Sequence, residues 1–116
     1  MSDKDDDTDD DNADVWTDFT HSVNLTPKAL EKWLSTDESR SVGQSVGGEA
    51  IGHRSGRHIL SILEKKKSDL TKADYEHMRK VLGYIKRHSA QRPSGDVTDT
   101  PWRYSLMNWG HDPLKK

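Results

Sequence analysis

Lys72, Arg79, Lys80, Lys86 and Arg87 carry the clearest chemical signal in this sequence. At 100° per residue they gather on an arc of about 120°, interrupted by Glu76 and opposite the apolar stripe Tyr75, Met78, Val81, Leu82 and Ile85. Such a face does electrostatic work. Each ammonium or guanidinium set against a phosphate releases a condensed counterion, giving salt-dependent affinity with little sequence preference. Arg54, Arg57 and Lys65 form a second basic strip upstream, closed by Lys66 and Lys67, so that Arg40 to Arg92 holds 12 basic against 5 acidic residues. The plainer alternative is an ordinary solvated face, because Lys and Arg occupy the outside of most helices.

Covalent and metal chemistry find less to work with. Gly52-His53-Arg54-Ser55-Gly56 has the wrong spacing for a nucleophile elbow, and no strand precedes it. Six histidines are present, but His53 and His58 stand five apart, and neither a His-Glu-x-x-His pattern nor paired carboxylates accompany them, so no metal is expected. His77 and His88 lie at the border of an apolar face, where a neutral imidazole with one hydrogen bond is the common arrangement. The stretch from Ser41 to Arg57 offers Gly, Ser and Arg ahead of a helix start, an anion-attracting composition without a phosphate-loop signature. Trp16, Trp33, Trp102 and Trp109 could stack on bases, yet their helical spacing with Phe19, Leu34 and Leu106 favours core anchors. His111 and Asp112 either contact a ligand or hold the turn before Pro113.

The elements that position these groups read as helices. Val15, Trp16, Phe19 and Val23 support a short amphipathic helix over about 14–22. Thr26 can cap a second that begins at Pro27, with Leu30, Trp33 and Leu34 as its stripe. From Ser35 to Gly48 the composition favours loop. A third helix runs to about Lys66 on Ala50, Ile51, Ile59, Ile62 and Leu63, although Gly52 and Gly56 each weaken it by about 1 kcal/mol relative to Ala. With Gly48 they stand four apart, as a lane along which another helix could approach. Thr71 and Asp74 form a capping box, Leu70 and Tyr75 a staple, and Pro93 closes that fourth helix. Thr100 and Pro101 open the last, Gly110 can end it and Pro113 forbids its continuation. The fold class is all-α, a bundle of about five helices in one domain over 15–116.

Charge divides the chain unevenly. Residues 1–14 carry eight aspartates against one lysine, whereas 15–116 carry 17 Lys and Arg against 12 Asp and Glu. Like-charged runs repel and bury little apolar surface, so 1–14 reads as a disordered acidic tail, either solubilising or mimicking phosphate against a basic partner or the domain's own basic face. No cysteine is present, which excludes disulfides and thiolate metal sites and fits a reducing compartment. No apolar run approaches the ~20 residues needed to span a bilayer, and the N-terminus has no leader-like basic or apolar region. A soluble intracellular protein, cytoplasmic or nucleoid-associated, is expected. Asn24-Leu25-Thr26 matches a glycosylation acceptor but reads better as a helix start.

Leu25-Thr26-Pro27, Glu38 to Val46, Gly52 to Arg57, Glu76 to Val81 and Tyr104 to Lys115 together resemble the domain-of-unknown-function 3140 family, over nearly everything after the acidic tail. The ordered Trp109, Gly110, His111, Asp112 and Pro113 are the most specific part of that likeness. The resemblance implies a compact stand-alone domain, some of whose relatives are labelled DNA-binding, and it supplies no catalytic residue.

These features point to a non-enzymatic helical module without cofactor that binds nucleic acid, DNA rather than RNA, through Arg54, Arg57, Lys65, Lys66, Lys67, Arg79, Lys80, Lys86 and Arg87. No helix-turn-helix pair with base-reading side chains is evident. The alternative is a protein-interaction module or complex subunit that docks a partner helix on the glycine lane or the tryptophans.

Overall fold

In a computed structural model, residues 2–42, 45–46 and 49–115 are described, with side chains over 12–42 and 52–115. Six α-helices are present among them: α1 (Ser2–Ser22), α2 (Pro27–Leu34), α3 (Asp37–Arg40), α4 (Ile51–Glu64), α5 (Lys72–Ser89) and α6 (Pro101–Asn108). The fold is all-α. A minimal antiparallel pair, β1 (Ser45–Val46) with β2 (Glu49–Ala50), precedes α4, and a 3₁₀ turn over Lys67–Asp69 joins α4 to α5.

Local chemistry sets most boundaries. Thr26 Oγ1 accepts from Ala29 N–H and Thr100 Oγ1 from Arg103 N–H, so both Thr-Pro pairs begin helices as the sequence suggests. At α5 the capping box is complete: Asp74 N–H donates to Thr71 Oγ1 at 3.1 Å and Thr71 N–H to Asp74 Oδ2 at 3.0 Å. α6 ends in a Schellman turn, with Gly110 at φ +81° and His111 N–H donating to Leu106 C=O at 3.0 Å.

Two boundaries differ from the sequence reading. α1 starts at Ser2 rather than near Asp14, an outward continuation of a nucleated helix that places aspartates at its positive end, against the mutual repulsion of those aspartates. The segment assigned to loop contains α3, where Thr36 Oγ1 accepts from Ser39 N–H; four residues are too few to show a period.

One core holds the elements together. Phe19, Leu30, Ile59, Ile62, Met78, Val81 and Leu106 are fully buried within it, drawn from α1, α2, α4, α5 and α6. Arg79 Nη2 donates to Asn12 Oδ1, and Asp18 to Ser22 share a groove with Leu82 to Lys86, so α1 lies along α5 in the same direction. A mixed clasp closes the C-terminal end, built on the Arg103–Asp112 ion pair and on neutral hydrogen bonds of Asn24. Asp112 takes two hydrogen bonds from the Arg103 guanidinium, Asn24 exchanges two with the Asp112 backbone, and Lys115 Nζ donates to Asn24 C=O.

Candidate functional site

The four core-facing residues of α5, Asp74, Met78, Val81 and Ile85, fix its rotation and leave Lys72, Arg79, Lys80, Lys86 and Arg87 exposed on the far side. Helical geometry therefore delivers the predicted arc. At 1.5 Å per residue it extends about 22 Å from Lys72 to Arg87. Among the described residues, none of Lys72, Lys80, Lys86 and Arg87 has a carboxylate within ion-pair distance. Their charge stays with the solvent.

The α4 side of the expected surface is different. Lys65 Nζ lies 2.7 Å from Asp74 Oδ2, so its ammonium closes a buried carboxylate instead of pointing outward. Arg54 and Arg57 are exposed, but each already has a contact of its own, and Arg57 is turned away from the Ser55 and His58 edge that meets α5. Lys66 is exposed at the corner before the 3₁₀ turn, and Lys67 Nζ stands 6.0 Å from the Trp16 ring centroid. The structure brings Arg79, Lys80, Lys86 and Arg87 onto one face of α5 and engages Lys65 in the seam between α4 and α5.

The residues that look most like a catalyst form the α4–α5 seam. Asp74 is 3% exposed and receives Lys65, the His58 Nε2–H at 3.0 Å and the Thr71 N–H, which together outweigh the desolvation that would raise its pKa and hold it well below the usual carboxylate range. Ser55 Oγ hydrogen bonds His77 Nε2 at 2.9 Å, and Ser55 is 4% exposed. Burial pushes His77 down to about 4; the neighbouring charges of His58 and Lys80 act the same way, and the Ser55 contact opposes them. His77 is thus neutral at neutral pH, the hydrogen-bonded border imidazole that the sequence suggests. His88, also lowered by burial, completes a set of stacked rings: His58, His77, Trp109, Tyr84, His88 and Trp102, successive centroids 4.2 to 6.2 Å apart. Ser55 does not line the open depression beside it, which His58, Ala73, Glu76, His77 and Lys80 form.

A polar hub escaped the sequence reading. Asn108 is 1% exposed; its Oδ1 accepts from Trp33 Nε1–H at 2.8 Å and from Ser39 Oγ–H, while its Nδ2–H donates to Ser39 C=O at 2.9 Å. Its partners lie 69 and 75 residues away, beyond any local pattern.

The tryptophans are anchors: Trp102 and Trp109 are buried, Trp16 and Trp33 pack on the core, and Trp102 Nε1–H donates to His88 C=O. The glycine lane is occupied within the fold, since a Cβ at Gly52 would meet Trp109 Nε1 at 3.2 Å and one at Gly56 would meet Asn108 O and Leu34 Cδ2 at 2.6 Å; Gly48 lies outside the described residues. Asp112 holds the terminal turn by accepting from Arg103 and Leu114 N–H, and His111 donates from Nδ1 to Ser22 C=O at 2.7 Å. Among the described residues, no group of three or more His, Asp or Glu is placed to hold a metal ion, and no helix is long and apolar enough to cross a membrane.

A family model with the description "Protein of unknown function (DUF3140)" matches residues 18–107. No curated protein and no solved structure matches the chain. The matched span runs from the packed half of α1 through nearly all of α6, so it takes in Ser55, His58, Lys65, Asp74, His77 and all of the α5 arc; Asn108 and the Trp109 to Pro113 string, the most specific part of the likeness, lie just past it. By that span, the chain belongs to the DUF3140 family.

Proposed function

We propose that this domain is a non-enzymatic module that binds double-stranded DNA through the outer face of α5. The observation that carries the reading is the group Lys72, Lys80, Lys86 and Arg87: exposed, on one face of a single helix, and without a carboxylate at ion-pair distance among the described residues. Arg79 joins them from the α1 border, and Lys66 and Lys67 extend the field past the start of the helix. A length of about 22 Å lets such a face engage phosphates across a groove of the duplex, which is about 12 Å wide in the major groove. Backbone contacts of this kind position a protein without reading bases, so the affinity is largely sequence-independent.

Fluorescence anisotropy with a short labelled duplex, titrated at several salt concentrations, tests it. Four cations set against phosphates predict a slope of log K on log salt of about −3.6. Absence of binding at low salt, or binding that salt leaves unchanged, overturns the reading.

A further inference from the structure

A glycine inside a helix weakens it, and at Gly52 and Gly56 the structure supplies the compensation: Trp109, Asn108 and Leu34 fill the space a side chain would take. Gly83, in the second half of α5, has no such partner. Its φ is not positive, and a Cβ built on it would meet the Arg87 guanidinium alone, with Nη1 at 3.0 Å, the far end of a flexible side chain that can swing aside. Nothing within the fold requires this residue to be glycine.

Its position is informative. Gly83 lies on the solvent side of α5, with Arg79 and Lys80 one turn before it and Lys86 and Arg87 one turn after, at the i±3 and i±4 places that neighbour it on the helix surface. All four are exposed. At Gly83 the helix therefore lacks side-chain cover of its own; the movable Arg87 guanidinium lies over the spot, Arg79, Lys80 and Lys86 stand around it, and the Arg79 to Asn12 hydrogen bond braces one side. Among the described residues, the acidic groups that share depressions with these cations are Glu76, beside Arg79 and Lys80, and Asp18, beside Lys86.

We propose that this spot seats a phosphodiester group, so that the sugar–phosphate strand touches the helix backbone at Gly83 while the four cations donate to its non-bridging oxygens. The inference rests on the DNA-binding reading and adds its point of closest approach. Charge-assisted N–H···O⁻ bonds of about 2.8 Å require the phosphate to come close to all four heads at once, and a side chain in the middle would hold it off. A second copy of the same face is excluded as the occupant, since it would oppose cation to cation.

The test is a pair of variants of the full chain, Gly83→Ala and Gly83→Leu, measured by thermal unfolding and by anisotropy with one duplex at one salt concentration. Both replacements are better helix formers than glycine, so Tm is expected to hold or to rise by a few degrees. Affinity is expected to fall about threefold for the first and more than tenfold for the second, the opposite direction to stability. Combined with Arg87→Ala, Gly83→Leu should cost less than the sum of the two single losses, because both act on one phosphate. If the parent chain binds duplex and both glycine variants bind it equally well, the seat is wrong and the rest of the face suffices. If the parent chain binds no duplex, the proposed function fails and the seat fails with it.

Discussion

Gly56, Ser55, His58, Asp74 and Asn108 line the seams that α4 makes with its neighbours, and each meets a partner at contact or hydrogen-bond distance. On the outer face of α5, Lys80, Lys86, Arg87 and Gly83 meet water or one another. The serine, histidine and aspartate residues that invite a catalytic reading are the ones engaged in holding helices together. Residues that look like ordinary surface keep their charged groups at the solvent. Polar residues next to a seam should therefore govern stability, and those on the arc should govern binding, with little crossover.

The sharpest way to break that division is Asn108→Leu. It leaves Trp33 Nε1–H, Ser39 Oγ–H and the Ser39 C=O without their partner, and a loss of about 3–4 kcal/mol is expected in urea denaturation. Gly56→Ala comes next, at about 3 kcal/mol, because the new Cβ would fall 2.6 Å from a backbone oxygen that can move only with α6. The same substitution at Gly83 is expected to leave the fold as stable or more so, which makes the pair a direct comparison of seam and arc.

Acid should act first on the seam and then on the C-terminal clasp. His77 and His88 both lie below the ordinary histidine value of 6.5 in the folded chain, so between 6.5 and about 4 the unfolded chain binds more protons and stability falls as the pH falls through that window. Asp74 and Asp112, held low by their hydrogen bonds and by Lys65 or Arg103, extend the loss below 3.8. Urea midpoints measured from pH 7.5 to 4 check this, and His77→Asn should flatten the upper part of the curve. The smallest effect on stability belongs to Lys80→Ala and Arg87→Ala, expected within about 0.5 kcal/mol of the parent, while each lowers the slope of log K on log salt by about one unit of charge.

Much of the scaffold was legible from local signals. Thr26-Pro27, Thr71 with Asp74, and Thr100-Pro101 each state a helix start through a side chain that reaches three residues ahead, and the stripe from Tyr75 to Ile85 fixes which face of α5 is dry. The arc followed from the same stripe. Lys65 did not, because its partner Asp74 had already been accounted for as a cap, and only the antiparallel crossing of α4 and α5 shows that one carboxylate serves the cap, the lysine and His58 together. Asn108 and Ser39 carry no periodic signal, and the stripe that includes Trp33 does not show that the three meet. α3 was hidden because a single turn between Thr36 and Ser41 gives the eye nothing to repeat.

The clasp between Asn24 and the segment from His111 to Lys115 also has a temporal consequence. Its hydrogen bonds join residues 88 to 91 apart, so each closes a loop of most of the polypeptide, and such closures come late because their entropy must be met before any contact rewards it. During synthesis, α1 and α2 emerge well before residues 111–115, and their outer edges stay unsealed until that segment follows. Shortening the carboxyl end should accordingly speed unfolding much more than it slows folding, a kinetic asymmetry that stopped-flow traces would register.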